Sequence, residues 1–211
     1  ASADEVYALV GEKHFSGVPG VRMLVLHGRA RVEAMYRALR DVRDPTLVVE
    51  NKLLYRERGD SPLPAGSTLL EVGAPFPATV LRPDGEPDLT VVAFGRMSVL
   101  AERAAARLRD EEEIRVELVF PLQVSPFEPR AVLDSIERTH KLLVVEEGAA
   151  GFDLGAEVLA TASTAYRGKE RLYCRRLAAQ PIPIPSATLL EQQVLPGIES
   201  IVAACLELFD E

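Results

Sequence analysis

The sequence predicts an α/β protein: a three-layer domain with a mixed, mainly parallel five-stranded sheet, preceded by a partial β-α-β unit. Residues 89–94 and 141–145 are short apolar runs rich in β-branched side chains, which is typical of strands buried on both faces. Between them, Val99, Ala104 and Leu108 recur at helical spacing, with charged residues on the other faces. Alternating strands and helices of this kind form parallel sheets with right-handed crossovers.

The first elements form one small unit. Residues 22–26 read as a short apolar strand, residues 31–40 as an amphipathic helix and residues 46–49 as a second strand. A single β-α-β unit buries too little surface to be a domain of its own. We therefore assign residues 1–55 to a remnant of a larger domain.

Residues 56–88 change in composition to Pro, Gly, Asp and Ser and are predicted to be a linker or surface excursion. The Arg-Gly-Asp triplet at 58–60 resembles a cell-adhesion motif, but a match of three residues in a turn-rich segment is expected by chance. Residues 89–211 then form the main domain.

The main domain continues with alternating elements. Val132 and Ile136 lie on a second predicted helix, and residues 152–166 form a third, in which Gly155 allows close approach to the sheet. Residues 172–177 read as a strand. Three prolines make residues 180–185 an extended connector. Ser186 is predicted to cap the next helix, and residues 198–209 form the last one.

Composition excludes several classes of function. A net charge of −8 argues against a broad nucleic-acid footprint and is compatible with a basic protein partner. Only two cysteines are present, without metal-ligand spacing, so a reducing cytoplasm is favoured over a disulfide framework. No apolar run is long enough to suggest a membrane span, and residues 1–10 lack a signal-like pattern.

Nucleophilic catalysis finds little support. His27 follows a strand, a common place for α/β sites, but no Ser or Cys stands in a nucleophile-elbow context. His140 is interpreted as a structural residue at a helix end, and Cys174 and Cys205 as structural thiols. The third histidine is His14. No catalytic residue is therefore assigned.

Two pairs of charged residues stand at predicted strand ends. Glu146 and Glu147 lie where a strand meets a loop, the edge at which open α/β sheets place their sites. Glu50 and Lys52 stand at the end of an earlier strand as an expected ion pair. The acidic run at 110–113 reads as a solvated helix end.

Six segments together carry a family resemblance. They are FSGVPGVRMLVL, DPTLVVENKLLY, DLTVVAFGRMSVLAERAAARL, VELVFPLQVSPFEPRAVLDSIERTHKLLVVEEG, GFDLGAEVLATA and PIPIPSATLLEQQVLP. In this order they resemble the β subunit of thiamine-diphosphate-dependent 2-oxoacid dehydrogenases of the pyruvate and branched-chain type. The match covers the transketolase C-terminal domain and the end of the preceding pyrimidine-binding domain. It implies framework or interface roles for Glu50, Lys52, Glu146 and Glu147.

The resemblance also shows what the chain lacks. In the family, the carboxylate that activates the cofactor lies in the N-terminal part of the β subunit, and the Gly-Asp-Gly metal and diphosphate motif lies in the α subunit. We find neither in this sequence. Thiamine diphosphate and Mg²⁺ are thus expected only through partner chains or a missing N-terminal region, in a fragment or a split subunit. A monovalent cation at the backbone of residues 40–44 is a further expectation from the family.

The resemblance implies assembly and docking as the function. The expected partners are a second copy or an α-like subunit in an α2β2 assembly, and an acyltransferase subunit-binding domain or a carrier protein. Glu207, Phe209 and Asp210 near the C-terminus would suit a small basic domain. Oxidative decarboxylation and two-carbon transfer both remain open. The alternative is a free-standing interaction or regulatory domain without turnover.

Overall fold

The computed structural model describes residues 15–57, 61–151 and 153–210. Its strands are β1 (Arg22–Val25), β2 (Thr46–Val49), β3 (Ser67–Val72), β4 (Ala78–Pro83), β5 (Leu89–Ala93), β6 (Val116–Phe120), β7 (Gln123–Ser125), β8 (Lys141–Ala149) and β9 (Tyr173–Ala179). Its α-helices are α1 (Val32–Leu39), α2 (Met97–Glu112), α3 (Arg130–Thr139), α4 (Leu154–Ala165), α5 (Thr188–Val194) and α6 (Ile198–Glu207), and Lys52–Arg56 is a 3-10 helix.

The main sheet has six strands in the order β3-β4-β6-β5-β8-β9. The four strands β6, β5, β8 and β9 are parallel, as predicted, while β4 pairs antiparallel with both β3 and β6. The prediction of five strands was therefore one too few, and two strands lie within residues 56–88, which we had assigned to a linker. Most of the prolines and glycines in that segment lie in the turns around the β3-β4 hairpin, and Pro83 is the last residue of β4. The triplet at 58–60 lies outside the described residues.

Helices cover both faces of this sheet, which gives the three layers that the sequence predicts. One core contains Met97, Ala104 and Leu108 of α2 and Ile201 of α6. The core on the other face contains residues of α3 and α4, including Val132 and Ile136. The central strands β5 and β6 are buried at every position because helices lie on both sides of them.

A second, three-stranded sheet contains the predicted β-α-β unit in the order β2-β1-β7. Strands β1 and β2 are parallel, and β7, which belongs to the main domain, pairs antiparallel with β1. Alternation along β1 sends Met23 and Val25 into the main core and Leu24 towards α1, where it meets Met35. The small unit therefore has no separate core on its inner side.

Polar contacts also join the loop after β1 to α2. The Arg29 guanidinium lies 2.6 Å from the Glu102 carboxylate, and both side chains are largely buried. The Gly28 N–H donates to Ser98 Oγ at 2.9 Å. These contacts fix the small unit against the main domain at the start of α2.

A buried polar network lies between β6, α3 and β4. Glu117 on β6 is fully buried and accepts hydrogen bonds from Arg82, Ser135 and Arg138 at 2.7 to 2.8 Å. The Thr90 hydroxyl forms hydrogen bonds with the Ser135 and Thr139 hydroxyls. Every oxygen of this carboxylate therefore has a donor.

The C-terminal helices differ from the prediction in detail. Ala187, not Ser186, is the N-cap of α5, without a side-chain hydrogen bond. Residues 189–207 reach the length and apolarity of a membrane span, contrary to the sequence expectation. The structure divides them into α5 and α6 around Pro196 and Gly197, and places Ile201, Val202 and Cys205 in the core of the main domain. Their apolarity is thus explained in part by core packing.

Candidate functional site

The candidate site lies at the carboxyl edge of the main sheet, between β5 and β8. From β5 the chain crosses through α2 to β6 on one side, and then through α3 to β8 on the other side of β5. Adjacent strands whose connections diverge in this way leave a crevice at their carboxyl ends, where open α/β sheets bind ligands. In this structure the crevice is lined by Val49, Asn51, Gly95, Glu146 and Glu147, among others. Val49 and Asn51, which belong to the small unit, therefore form one side of the crevice.

Glu146 is an internal anion at one end of the crevice. Its side chain is 3% exposed and forms an ion pair with Arg176 Nε of β9. The other carboxylate oxygen accepts the Gly155 N–H at 2.8 Å, in the first turn of α4. The positive end of a helix dipole favours such an anion. Glu146 itself thus occupies the position at which a helix N-terminus would bind an external anion.

The fit between Glu146 and α4 requires a glycine. A Cβ on Gly155 would collide with the Glu146 carboxylate and lie 3.0 Å from Arg176 Nε. The predicted close approach of the helix to the sheet at this glycine is therefore present, and its physical reason is the buried ion pair. Burial raises the pKa of Glu146, although the Gly155 N–H and Arg176 act in the opposite direction.

Glu147 faces the small unit. Its carboxylate accepts a hydrogen bond from Asn51 Nδ2 at 2.9 Å. Asn51 also caps the 3-10 helix, because its Oδ1 accepts the Leu53 N–H at 3.0 Å. Burial raises the pKa of Glu147, while the charge of Arg96 lowers it. The carboxylate pair predicted from the sequence is thus divided: Glu146 binds within the main domain, and Glu147 binds the end of the small unit.

The contact between Asn51 and Glu147 connects the small unit to the main domain, and we call this contact the joint. Glu146 is held by Arg176 and the Gly155 N–H, and Glu147 by Asn51. Among the described residues, no group of three or more His, Cys, Asp or Glu side chains could hold a metal ion. That thiamine diphosphate and Mg²⁺ are held by partner chains or by another region stays a prediction.

Glu50 lies at the surface beside the joint. Its carboxylate accepts hydrogen bonds from the hydroxyls of Tyr36, at 2.6 Å, and Tyr55. These bonds lower the pKa of Glu50, with the bond from Tyr36 having the larger effect. Glu50 therefore connects α1 to the 3-10 helix that contains Lys52, and the pairing of Glu50 with Lys52 stays a prediction.

The three predicted docking residues lie together at the end of α6. Glu207 forms an ion pair with Arg175 of β9, and Asp210 is exposed. Phe209 is 40% exposed, and the ammonium group of Lys141 lies 4.9 Å from the centre of its ring. The acidic character that the sequence suggests here is thus partly neutralised by two basic residues from the main sheet.

The histidines and cysteines have structural surroundings. His27 is buried against Phe120, its Nδ1 accepts the Arg29 N–H, and burial lowers its pKa to about 3. His140 ends α3 in a left-handed conformation and forms a hydrogen bond with the Tyr166 hydroxyl at 2.6 Å. Cys205 is fully buried, as predicted for a structural thiol, whereas Cys174 is exposed. His14 lies outside the described residues.

Sequence reasoning missed Asn51 and Arg176. Both act across long chain separations, since Asn51 pairs with Glu147 and Arg176 with Glu146. Asn51 carried a usable signal, because it directly follows a strand and precedes a helical turn, where Asn is a preferred cap. Arg176 carried no such signal. Two consecutive arginines in a strand do not indicate which of them is buried.

The fold and the joint define a parallel α/β domain whose carboxyl edge is closed by a second unit. Residues 78–201, more than half of the chain, match the family described as transketolase, C-terminal domain. The chain belongs to this family.

Curated relatives extend the similarity to the small unit. The chain is 28% identical over 191 residues to the mitochondrial pyruvate dehydrogenase E1 component subunit beta of Pisum sativum, covering 90% of this chain and 52% of that protein. It is 27% identical over 199 residues to the acetoin:2,6-dichlorophenolindophenol oxidoreductase subunit beta of Bacillus subtilis, covering 93% and 55%. The chain thus spans about half the length of these relatives.

A solved structure shares the fold. The structure titled "Split gene transketolase, inactive beta4 tetramer" superposes with a TM-score of 0.69 at 18% sequence identity, covering 96% of this chain and 61% of that one. The shared arrangement therefore includes the small unit as well as the main sheet.

Proposed function

We propose that the chain is the β-subunit portion of a thiamine-diphosphate-dependent 2-oxoacid dehydrogenase or transketolase-like enzyme. Its role is subunit assembly and partner docking for oxidative decarboxylation or two-carbon transfer. The observation that carries the proposal is the family match together with the joint between the two units. Both named relatives are beta subunits, and the similarity to them extends over both units.

In this proposal the chain supplies a framework and other sequence supplies the cofactor. Thiamine diphosphate and Mg²⁺ would be held by an α-like partner or by a region outside this chain. The bond of Asn51 to Glu147 would keep the two units in one relative position, and the ion pair of Glu146 with Arg176 would fix the strand that carries Glu147. Both contacts are largely shielded from solvent, which makes them stiffer than surface ion pairs.

The direct test is reconstitution. The chain is purified with its native partners, and thiamine diphosphate with Mg²⁺ is titrated into the complex by calorimetry. Saturable binding in the complex, and none in the isolated chain, supports the proposal. A chain that forms no complex with an α-like subunit would instead be a free-standing interaction or regulatory domain.

Docking of an acyltransferase or carrier partner at Glu207, Phe209 and Asp210 is a separate part of the proposal. Reversing the charges of Glu207 and Asp210 should weaken the binding of a basic subunit-binding domain. Because Glu207 is paired with Arg175, Asp210 should contribute the larger part of this loss. Unchanged affinity by calorimetry would exclude docking at this surface but leave the reconstitution test unaffected.

Two further elements stay predictions. A monovalent cation at residues 40–44 would be bound by backbone carbonyls and should raise the melting temperature in K⁺ relative to Li⁺ at equal ionic strength. A cytoplasmic location is predicted from the composition alone. The relatives include a mitochondrial protein and one from Bacillus subtilis, so fractionation of the native host is the test.

A further inference from the structure

The outer edge of β9 has no neighbouring strand within the part of the chain that the structure describes. There, strand β9 ends the main sheet and pairs only with β8. The Tyr173 N–H donates to the His140 carbonyl, and the parallel register continues through Arg175 and Leu177. In a parallel ladder, alternate residues direct both backbone groups to the same neighbour. The N–H and C=O groups of Cys174, Arg176 and Ala178 therefore point away from the sheet, and within the described residues they have no hydrogen-bond partner.

This edge is basic in a chain that is acidic overall. Residues 167–176 contain five basic residues and one acidic residue, against a net charge of −8 for the whole chain. Arg176 is engaged internally by Glu146, and Arg175 by Glu207. Arg171 and Lys169 are exposed, and the Arg171 guanidinium lies 4.8 Å from the centre of the Tyr173 ring. The edge thus presents backbone donors and acceptors beside exposed positive charge and an aromatic surface.

Two of the other sheet edges, β3 and β2, differ from this one. The hairpin strand β3 carries no basic residue, and its Glu71 forms an ion pair with Arg31. The edge strand of the small sheet, β2, is followed directly by Glu50. Exposed basic residues commonly protect an edge against self-association, because two copies repel each other. The same charges attract an acidic strand.

We propose that the outer edge of β9 binds an extended acidic segment of a partner protein as an additional strand of the main sheet. Backbone hydrogen bonds to Cys174, Arg176 and Ala178 would hold the segment. Acidic side chains on the face of Tyr173 and Arg175 would lie beside Arg171 and Lys169. This surface adjoins the acidic docking residues proposed above, because Arg175 pairs with Glu207, and it presents the opposite sign at Arg171 and Lys169. The interaction does not depend on the enzyme assignment.

The test uses the full chain and a synthetic peptide. The probe is a seven-residue peptide, the length of β9, with alternating glutamate and valine and an amino-terminal fluorescein. Fluorescence anisotropy should show saturable binding. A peptide with lysine in place of glutamate should bind at least about tenfold more weakly, because it loses the charge attraction.

Alternate N-methylation separates strand addition from charge attraction alone. Only every second N–H of an added strand faces the sheet. Two peptides are compared, one methylated on the odd-numbered backbone nitrogens and the other on the even-numbered ones. The peptide whose methyl groups face away from the sheet should bind as the unmethylated peptide does. The other should bind about tenfold or more weakly, because it loses several backbone hydrogen bonds. Equal binding of both methylated peptides would overturn the proposal.

Cys174 provides a second readout at the same edge. It is the exposed thiol, and Cys205 is buried. The acidic peptide should slow the reaction of Cys174 with a thiol reagent. The double variant Lys169→Ala/Arg171→Ala should weaken peptide binding, whereas Arg130→Ala, an exposed residue of α3, should not. The proposal would be overturned if the two variants weakened peptide binding equally. It would also be overturned if a short single-stranded DNA displaced the labelled peptide as well as the unlabelled peptide does, or if a second copy of the chain protected Cys174 in the absence of peptide.

Discussion

Replacing Arg176 with methionine should destabilise the protein far more than the same change at Arg175. The two residues are adjacent in β9 but lie on opposite faces of the sheet. The Arg176 side chain is 17% exposed and pairs with Glu146, which is 3% exposed. The Arg175 side chain is 40% exposed and pairs with the half-exposed Glu207. The pair therefore forms a matched comparison between a buried and a surface ion pair.

The magnitudes follow from burial. Arg176→Met leaves the Glu146 carboxylate buried with only the Gly155 N–H as donor, and removing one partner of a buried pair costs about 3–5 kcal/mol. Arg175→Met leaves a carboxylate in contact with water and should cost about 0–1 kcal/mol. In a chain of this size the first change corresponds to a fall in melting temperature of roughly 6–20 °C.

The loss at Arg176 should also depend on pH. Burial raises the pKa of Glu146, and Arg176 opposes this effect, so the variant should raise that pKa further. A carboxyl group whose folded pKa lies above its unfolded value binds a proton more tightly in the folded state, so its destabilising effect is relieved as the pH falls through the folded pKa. Urea unfolding followed by circular dichroism should therefore show a smaller difference between wild type and Arg176→Met at pH 5 than at pH 8. A pH-independent loss, or equal losses for Arg175→Met and Arg176→Met, would refute the reasoning.

Three other perturbations test different parts of the structure. Burial raises the pKa of Glu117, but hydrogen bonds from Arg138, Arg82 and Ser135 outweigh this effect and leave the pKa lowered. Glu117→Gln should therefore cost about 1.5–3 kcal/mol of stability at pH 7. In urea unfolding, the difference from wild type should vanish as the pH falls through the lowered pKa of Glu117. Leu143→Ala, at a fully buried position of β8, should cost about 2–5 kcal/mol by chemical denaturation, whereas Leu189→Ala, at an exposed position of α5, should change stability by less than about 0.5 kcal/mol. Because burial raises the pKa of Cys205 to about 12, a thiol assay should count one reactive cysteine per folded chain and two in denaturant; two in the folded protein would contradict the described burial.

The main sheet was predictable because its strands are buried on both faces. Runs such as residues 89–94 contain only one polar side chain, Thr90, and helical spacing in α2 and α3 is regular. The β3-β4 hairpin was missed because prolines and glycines dominate the composition of the segment around it. The six residues of β3 are half-buried or exposed without regular alternation, so they carry a weak signal in such surroundings.

The candidate site was predictable only in part. Glu146 and Glu147 were predicted to lie in a loop after an apolar strand ending at residue 145, but β8 continues through both of them to Ala149. They line the crevice from within the last part of that strand. Their partners could not be predicted, since Asn51 and Arg176 reach them through tertiary packing. The docking surface shows the same limit: Glu207 and Asp210 are visible in the sequence as an acidic end, whereas Lys141 and Arg175 reach that end only because β8 and β9 start beside the end of α6.

The most direct test of the central claim is native mass spectrometry of the chain purified with its partners, before and after adding thiamine diphosphate and Mg²⁺. The account predicts a complex with an α-like subunit that gains the cofactor in a saturable manner, and an isolated chain that gains none. A chain that remains alone or forms only copies of itself, without cofactor under any condition, would contradict the account.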